Sequence, residues 1–204
     1  MMQTVDDERL AEAVHGSHTA FLEPVSGDPA DGVAVGPLFA PTLGMRAGGA
    51  LYFWLTTATA FQVPTTARFC DGLVERGGVS RERRVDVELA LQEAVANALV
   101  HGNLGLSSDM RDDFRQYERF CHLLEERLRD PDARHRRIEI AATWSGGVLE
   151  VSVTDQGQGY VQTDDPRKEA ETGLPLHGLG IIHTIALSVE SGDGGRRLTM
   201  RFAS

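Results

Sequence analysis

The stretch from Arg136 to Asp155 constrains the fold of this chain more than any other. RRIEIAATW and GGVLEVSVTD alternate apolar and polar residues around Ser145, Gly146 and Gly147. Period-two alternation gives each segment one apolar face. A Gly-Gly pair supplies the positive φ that a tight antiparallel turn requires. An antiparallel hairpin is therefore expected, and something must cover its apolar face.

Helical segments on either side of the hairpin are the expected cover. RERRVDVELALQEAVANALVHGN places Val85, Leu89, Gln92, Ala96 and Leu99 at helical spacing and ends in His-Gly, a good helix terminus. FRQYERFCHLLEERLRD carries Phe114, Tyr117, Phe120, Cys121, Leu124 and Leu128 as an amphipathic helix. Pro64, Thr65 and Thr66 offer a helix start, and ARFCDGLVERGG runs from there to a Gly-Gly stop. The preceding LYFWLTTATAFQV is aromatic and β-branched and reads as a strand or hairpin. After the hairpin and a polar loop, GLGIIHTIALSVE reads as a glycine-opened helix and RRLTMRF as an alternating last strand. This order predicts an α/β two-layer sandwich, with a mixed, largely antiparallel sheet covered on one face by helices.

Residues 1–49 read as an N-terminal extension of unknown role, acidic through Asp6, Asp7, Glu8, Glu12, Glu23, Asp28 and Asp31 and punctuated by Gly and Pro. Residues 50–204 read as the domain, with a charged helical insertion at about 104–137. The 20 basic and 30 acidic residues give a net charge of −10, which argues against a nucleic-acid partner. Cys70 and Cys121 form no CxxC, so neither a disulfide framework nor a zinc site is expected. The acidic N-terminus does not read as a signal peptide. The most apolar stretch, Gly49 to Val63, is too short to span a bilayer. A cytoplasmic protein with no membrane association is the expectation.

Three segments carry residues suited to chemistry. Glu93, Asn97 and His101 are spaced four apart, so one face of a helix presents them. An Asn carbonyl oxygen is a hard ligand that suits Mg²⁺, and a neighbouring Glu is suited to deprotonate a hydroxyl or water. The stripe lies in a helix that is apolar over much of its circumference, where buried polar groups need partners. Asp155, Gly157 and Gly159 close a strand, where a carboxylate can accept from a base amino group and glycines admit a ring close to the backbone. Gly178, Leu179 and Gly180 open a helix, whose free N–H groups favour a phosphate. Each alone has an ordinary reading: a solvated helix face, an Asp/Gly turn, a lone GxG.

Taken together over residues 50 to 204, the segments resemble the GHKL (histidine-kinase-like, Bergerat-type) ATPase superfamily. Glu93-xxx-Asn97 is similar to its N box, Asp155-x-Gly157-x-Gly159 to its first glycine box and His177-Gly-Leu-Gly180 to its second. EAVANALVHG followed by a short lid most resembles the bacterial anti-sigma-factor serine kinases. The resemblance implies ATP and Mg²⁺ as cofactors. Asn97 would hold Mg²⁺ and Glu93 would be general base for a serine hydroxyl of a partner protein. Asp155 would bind the adenine amino group, with Thr199 as a second adenine contact through water. Gly157 and Gly159 would pass close to the nucleotide, and Gly178 to Gly180 would meet its phosphates. Residues 161–176 would form the lid, in which Lys168 is placed to reach a phosphate. The implied partner is a protein such as a sigma factor, an anti-anti-sigma protein or a response regulator, and relatives of this type often form homodimers. Two other roles fit the same motifs: a nucleotide-gated adaptor without turnover, and the catalytic module of a histidine kinase. The phosphate end departs from the family pattern. Leu176 and His177 stand where some relatives carry Arg, and IIHTIALSVE lacks the usual acidic pair.

Overall fold

A computed structural model of the chain describes residues 5–15, 20–23, 48–106, 114–159 and 178–204. In chain order the elements are α1 (Asp7–His15), β1 (Ala20–Leu22), β2 (Gly49–Thr56), α2 (Thr57–Gln62), α3 (Thr65–Glu75) and α4 (Arg84–Asn97), which runs on as a π-helical turn (Ala98–Asn103). Then follow α5 (Phe114–Arg129), α6 (Pro131–His135), β3 (Arg137–Ser145), β4 (Val148–Asp155), α7 (Gly178–Ile185), β5 (Ser188–Gly192) and β6 (Arg197–Ala203).

The central hairpin forms as its alternation requires. β3 and β4 pair antiparallel from Ile138↔Asp155 to Ser145↔Val148. Gly146 and Gly147 close the turn at φ 59° and 80°, the region open to glycine. The sheet has six strands in the order β1-β2-β3-β4-β6-β5, with β1 parallel to β2 and every other neighbouring pair antiparallel. Leu51, Phe53, Ile138, Ile140, Val151, Val153, Met200 and Phe202 line one face and are buried in one core with Phe69, Leu73, Leu91, Val95 and Ile182 from the helices. Phe53 and Phe69 meet edge to face at 5.0 Å across this layer boundary. The α/β class, with its open mixed sheet and helical cover, is the one the sequence predicts.

Four local expectations change. LYFWLTTATAFQV is not a hairpin: the strand stops at Thr56, whose Oγ1 accepts from Thr59 N–H at 3.2 Å and caps α2. GLGIIHTIALSVE is not one helix, because α7 ends at Ile185 and residues from Ser188 pair with β6 as an edge strand. On α4 the Val85 and Leu89 stripe faces outward, with Val85 67% exposed. The buried set is Val87, Ala90, Leu91, Ala94 and Val95, because α3 and α7 pack on that side. The insertion helix α5 points Phe120, Leu123, Leu124 and Leu128 onto Val100, Leu104, Leu106 and Ala133, which leaves Tyr117 exposed.

The N-terminal extension contributes to this sheet and this core. β1 adds the edge strand, and Leu10 and Val14 of α1 are buried in the main cluster. Arg68 on α3 grips Asp7 with two hydrogen bonds of 2.7 and 2.6 Å. Glu23, just past β1, is 3% exposed and accepts from Thr56 N–H at 2.5 Å, Thr56 Oγ1 at 3.0 Å and Thr59 Oγ1 at 2.8 Å. Its carboxylate lies 3.8 Å from Arg137, whose guanidinium stacks 4.5 Å from the Trp54 ring centroid. Replacing Glu23 by Ala strips a buried charge and three acceptor contacts from one spot, so a loss of about 3 kcal/mol in unfolding free energy is expected. Urea denaturation measures it; a loss below about 1 kcal/mol would mean the extension is only loosely coupled to the sheet.

Candidate functional site

The site is built around the end of α4. From Ala98 to Asn103 the backbone switches to π-helical bonding, with Leu104 N–H donating to Leu99 O at 2.8 Å, and Leu106 N–H reaches back six residues to Val100 O at 2.9 Å. Such a bulge rotates everything after Asn97 relative to the face before it, and single π-turns are frequent at functional sites. Glu93 and Asn97 remain half-buried on α4, and neither side chain is hydrogen-bonded to another described residue. His101 does not continue their row on a regular helix: it lies in the π-turn, and its Nδ1 donates to Leu106 O at 2.5 Å.

The widened turn puts Gly102 against the end of β4. A Cβ on Gly102 would lie 2.4 to 2.6 Å from the carboxylate atoms of Asp155, and one on Gly157 would lie 2.2 Å from Gly102 O. Gly159 has φ +83°, and a Cβ there would meet Gly194 O at 2.1 Å. The π-turn, the Asp155–Gly159 loop and the turn before β6 are therefore stacked backbone on backbone. Asp155 N–H donates to Arg196 O at 3.0 Å, and its Oδ1 accepts from Gly157 N–H at 2.7 Å. The second carboxylate oxygen has no hydrogen bond to a described residue. Burial pushes the Asp155 carboxyl above its ordinary range, opposed by the Gly157 N–H and by the Arg196 and Arg136 guanidiniums. A cleft of about 280 Å³ beside it is lined by Thr154, Asp155, Gln156, Asp193 and Arg196.

The other sequence-derived candidates fall in different places. α7, which opens with Gly178, Leu179 and Gly180, packs on α4, with Gly180 buried and Leu179 half-buried against the core. Thr199 does not join Asp155. It pairs with Ser152 across β4 and β6, and paired residues share a face, whereas Asp155 is an odd number of residues away on β4 and faces the helices. Lys168, His177 and the lid at 161–176 lie outside the described residues.

Asn103 and Gln156 belong to the site and are not among the sequence candidates. Asn103 is fully buried, donating from Nδ2 to Thr57 Oγ1 at 2.9 Å and to Arg137 O at 3.0 Å, and accepting at Oδ1 from Gln156 N–H at 2.8 Å. The HGN triplet that follows the N-box-like stretch is the only hint of it in the sequence, since nothing local says that this Asn is buried.

The free carboxylate oxygen of Asp155 beside a cleft, with glycine backbone on both sides, fits the base end of a purine nucleotide, whose amino group would donate to it. Among the described residues no group of three or more His, Cys, Asp or Glu is placed to hold a metal. Magnesium bound with a nucleotide takes few protein oxygens beside phosphate and water, and the half-buried Asn97 amide suits that role. Fold and site thus define a nucleotide-binding module with a two-layer α/β architecture. The sequence model of one family, the histidine kinase-like ATPase domain, matches residues 56–202, and the chain belongs to that family of ATP-binding domains. No curated protein matches the chain. Among the described residues no helix is long and apolar enough to cross a membrane.

Proposed function

We propose that the protein is a regulatory protein serine kinase of the anti-sigma-factor type, which binds a partner protein and phosphorylates it from Mg·ATP. The observation that carries this reading is the Glu93 and Asn97 pair, one turn apart on α4, half-buried and hydrogen-bonded to no other described residue, on the helix whose end packs against Asp155. Mg·ATP supplies the phosphoryl group, and catalysis of its transfer is largely positioning and electrostatics. Asn97 would hold the metal, Glu93 would take the proton from the incoming serine hydroxyl, and Asp155 would accept from the adenine amino group.

Incubation with candidate anti-anti-sigma proteins and labelled ATP tests this. Transfer to serine is expected, with Glu93→Gln lowering it at least about 100-fold while ATP affinity stays within roughly threefold. No transfer by the wild type, together with partner binding unaffected by Glu93→Gln, overturns the kinase reading in favour of a nucleotide-gated adaptor. The packing of α5 on Val100, Leu104 and Leu106, directly around the π-turn, favours that second reading, because a partner held by the insertion would sense the turn without chemistry.

A further inference from the structure

The polar knot at Asn103 ties together four pieces of chain that no local sequence signal connects. Its side chain uses both Nδ2 donors, toward Thr57 Oγ1 and Arg137 O, and offers Oδ1 to Gln156 N–H. Its carbonyl accepts from Arg136 Nη1 at 2.5 Å. The Gln156 side chain closes the ring by accepting from Arg137 N–H at 2.8 Å, and Thr57 donates from both N–H and Oγ1 to Arg136 O at 2.8 and 3.0 Å. Asn103 thus joins the π-turn, the start of α2, the start of β3 and the loop after β4.

Two of these joints touch the nucleotide site directly. Asn103 follows Gly102, which lies against the Asp155 carboxylate, and Gln156 follows Asp155 itself. The bond from Gln156 N–H to Asn103 Oδ1 therefore sets how far the Asp155 loop stands from the end of α4. Gly157 has no spare room, since its backbone already sits against Gly102 O. Removing the acceptor would leave a part-buried N–H without its partner, which is unfavourable by about 1 kcal/mol and is relieved by moving the loop toward water. A displacement of the loop turns the free oxygen of Asp155 away from the ligand without removing any group that touches it.

We propose that Asn103 is a positioning residue for nucleotide recognition: through Gln156 N–H it holds the Asp155 loop in register with α4, so selectivity for a 6-amino purine depends on it. This rests on the reading of Asp155 as acceptor for the base amino group. The nucleotides to compare are ATP, which carries that amino group, and ITP, which carries an oxygen in its place.

The experiment is calorimetric titration of the full chain with each nucleotide, well below the melting temperature of every variant used. The wild type is expected to prefer ATP by at least about tenfold. Asn103→Ala is expected to weaken ATP about tenfold or more and to leave ITP within about twofold, so that the preference collapses. Asn103→Asp, which keeps an acceptor for Gln156 N–H, should restore most of the preference even where it lowers thermal stability. If Asn103→Ala does not fold, Asn103→Ser serves in its place, with the same direction at smaller size. Hydrogen exchange at the Gln156 amide of the nucleotide-free protein, slow in the wild type and faster in the Ala or Ser variant, gives a second readout independent of ligand. ATP and ITP weakened in parallel, or an unchanged preference, overturns the positioning role and leaves Asp155 in place. A wild type that binds both nucleotides equally overturns the Asp155 reading and this one with it.

Discussion

Replacing Gly157 by Ala is expected to abolish nucleotide binding in the micromolar range and to destabilise the protein by about 2–3 kcal/mol. The new Cβ would sit 2.2 Å from Gly102 O and 2.8 Å from Gly102 Cα, both main-chain atoms that no rotamer change can move aside. Either the π-turn or the Asp155 loop must shift. The hydrogen bond from Gly157 N–H to Asp155 Oδ1, which aims the carboxylate, shifts with it. A 100-fold loss of ATP affinity corresponds to roughly 2.7 kcal/mol, well within what a misplaced charged acceptor removes. Gly192→Ala is the control, because a Cβ there meets nothing within 4 Å and its backbone is not left-handed. It should change stability by no more than about 0.5 kcal/mol. Equal effects at the two glycines in thermal melts and ATP titration would show that the contact of Gly102 with Gly157 is unimportant.

Asp155→Asn should separate binding from folding. A carboxylate has two acceptor oxygens, and one of them already accepts from Gly157 N–H. An amide has one acceptor oxygen. With that oxygen kept on Gly157, its NH₂ faces the ligand amino group donor to donor. The loss of one charge-assisted bond and the clash of donors together predict ATP binding weaker by about 2–4 kcal/mol, or roughly 30- to 1000-fold.

The nucleotide-free variant should not lose stability in step. Burial holds the Asp155 pKa above its unfolded value, so ionising it is harder in the fold than in the unfolded chain. Stability contributed by such a group is present below the unfolded pKa and is lost as pH rises through the higher folded value. Once its carboxyl is ionised the wild type has lost it, whereas Asn has no charge to desolvate. The nucleotide-free Asp155→Asn protein should therefore melt at or above the wild-type temperature at pH 7, and its advantage should shrink as pH falls through the carboxylate range. ATP should raise the melting temperature of the wild type alone. A nucleotide-free variant clearly less stable than the wild type at pH 7 would show that Asp155 is chiefly a structural residue.

Much of the fold was legible because its signals are local. The alternation on either side of Ser145-Gly146-Gly147 specifies β3, β4 and their turn, since both the pleat and the positive φ are properties of a few consecutive residues. The Gly77-Gly78 stop and the helical span of α5 read correctly for the same reason. Elements that depend on distant partners did not. β1 has three residues and is a strand only because β2 lies beside it. Ser188–Gly192 is a strand only because β6 offers its ladder. On α4, apolar residues occur all round, so periodicity alone could not choose which side faces inward.

The site divides along the same line. The sequence alone determined the chemistry available: a Glu and an Asn one helical turn apart, an Asp ahead of two alternate glycines, a glycine-opened helix, in an order that resembles one ATPase superfamily. Those are matters of residue type and spacing along the chain. Only the tertiary structure decided that His101 bonds to a loop carbonyl, that Thr199 lies on the opposite sheet face from Asp155, and that Gly102 and Asn103 complete the site. Each of these depends on the extra residue in the π-turn after Asn97 or on the register of β4 against β6. The larger of these features are settled by packing between segments far apart in the chain, as Gln156 and Asn103 are, at a sequence separation of 53.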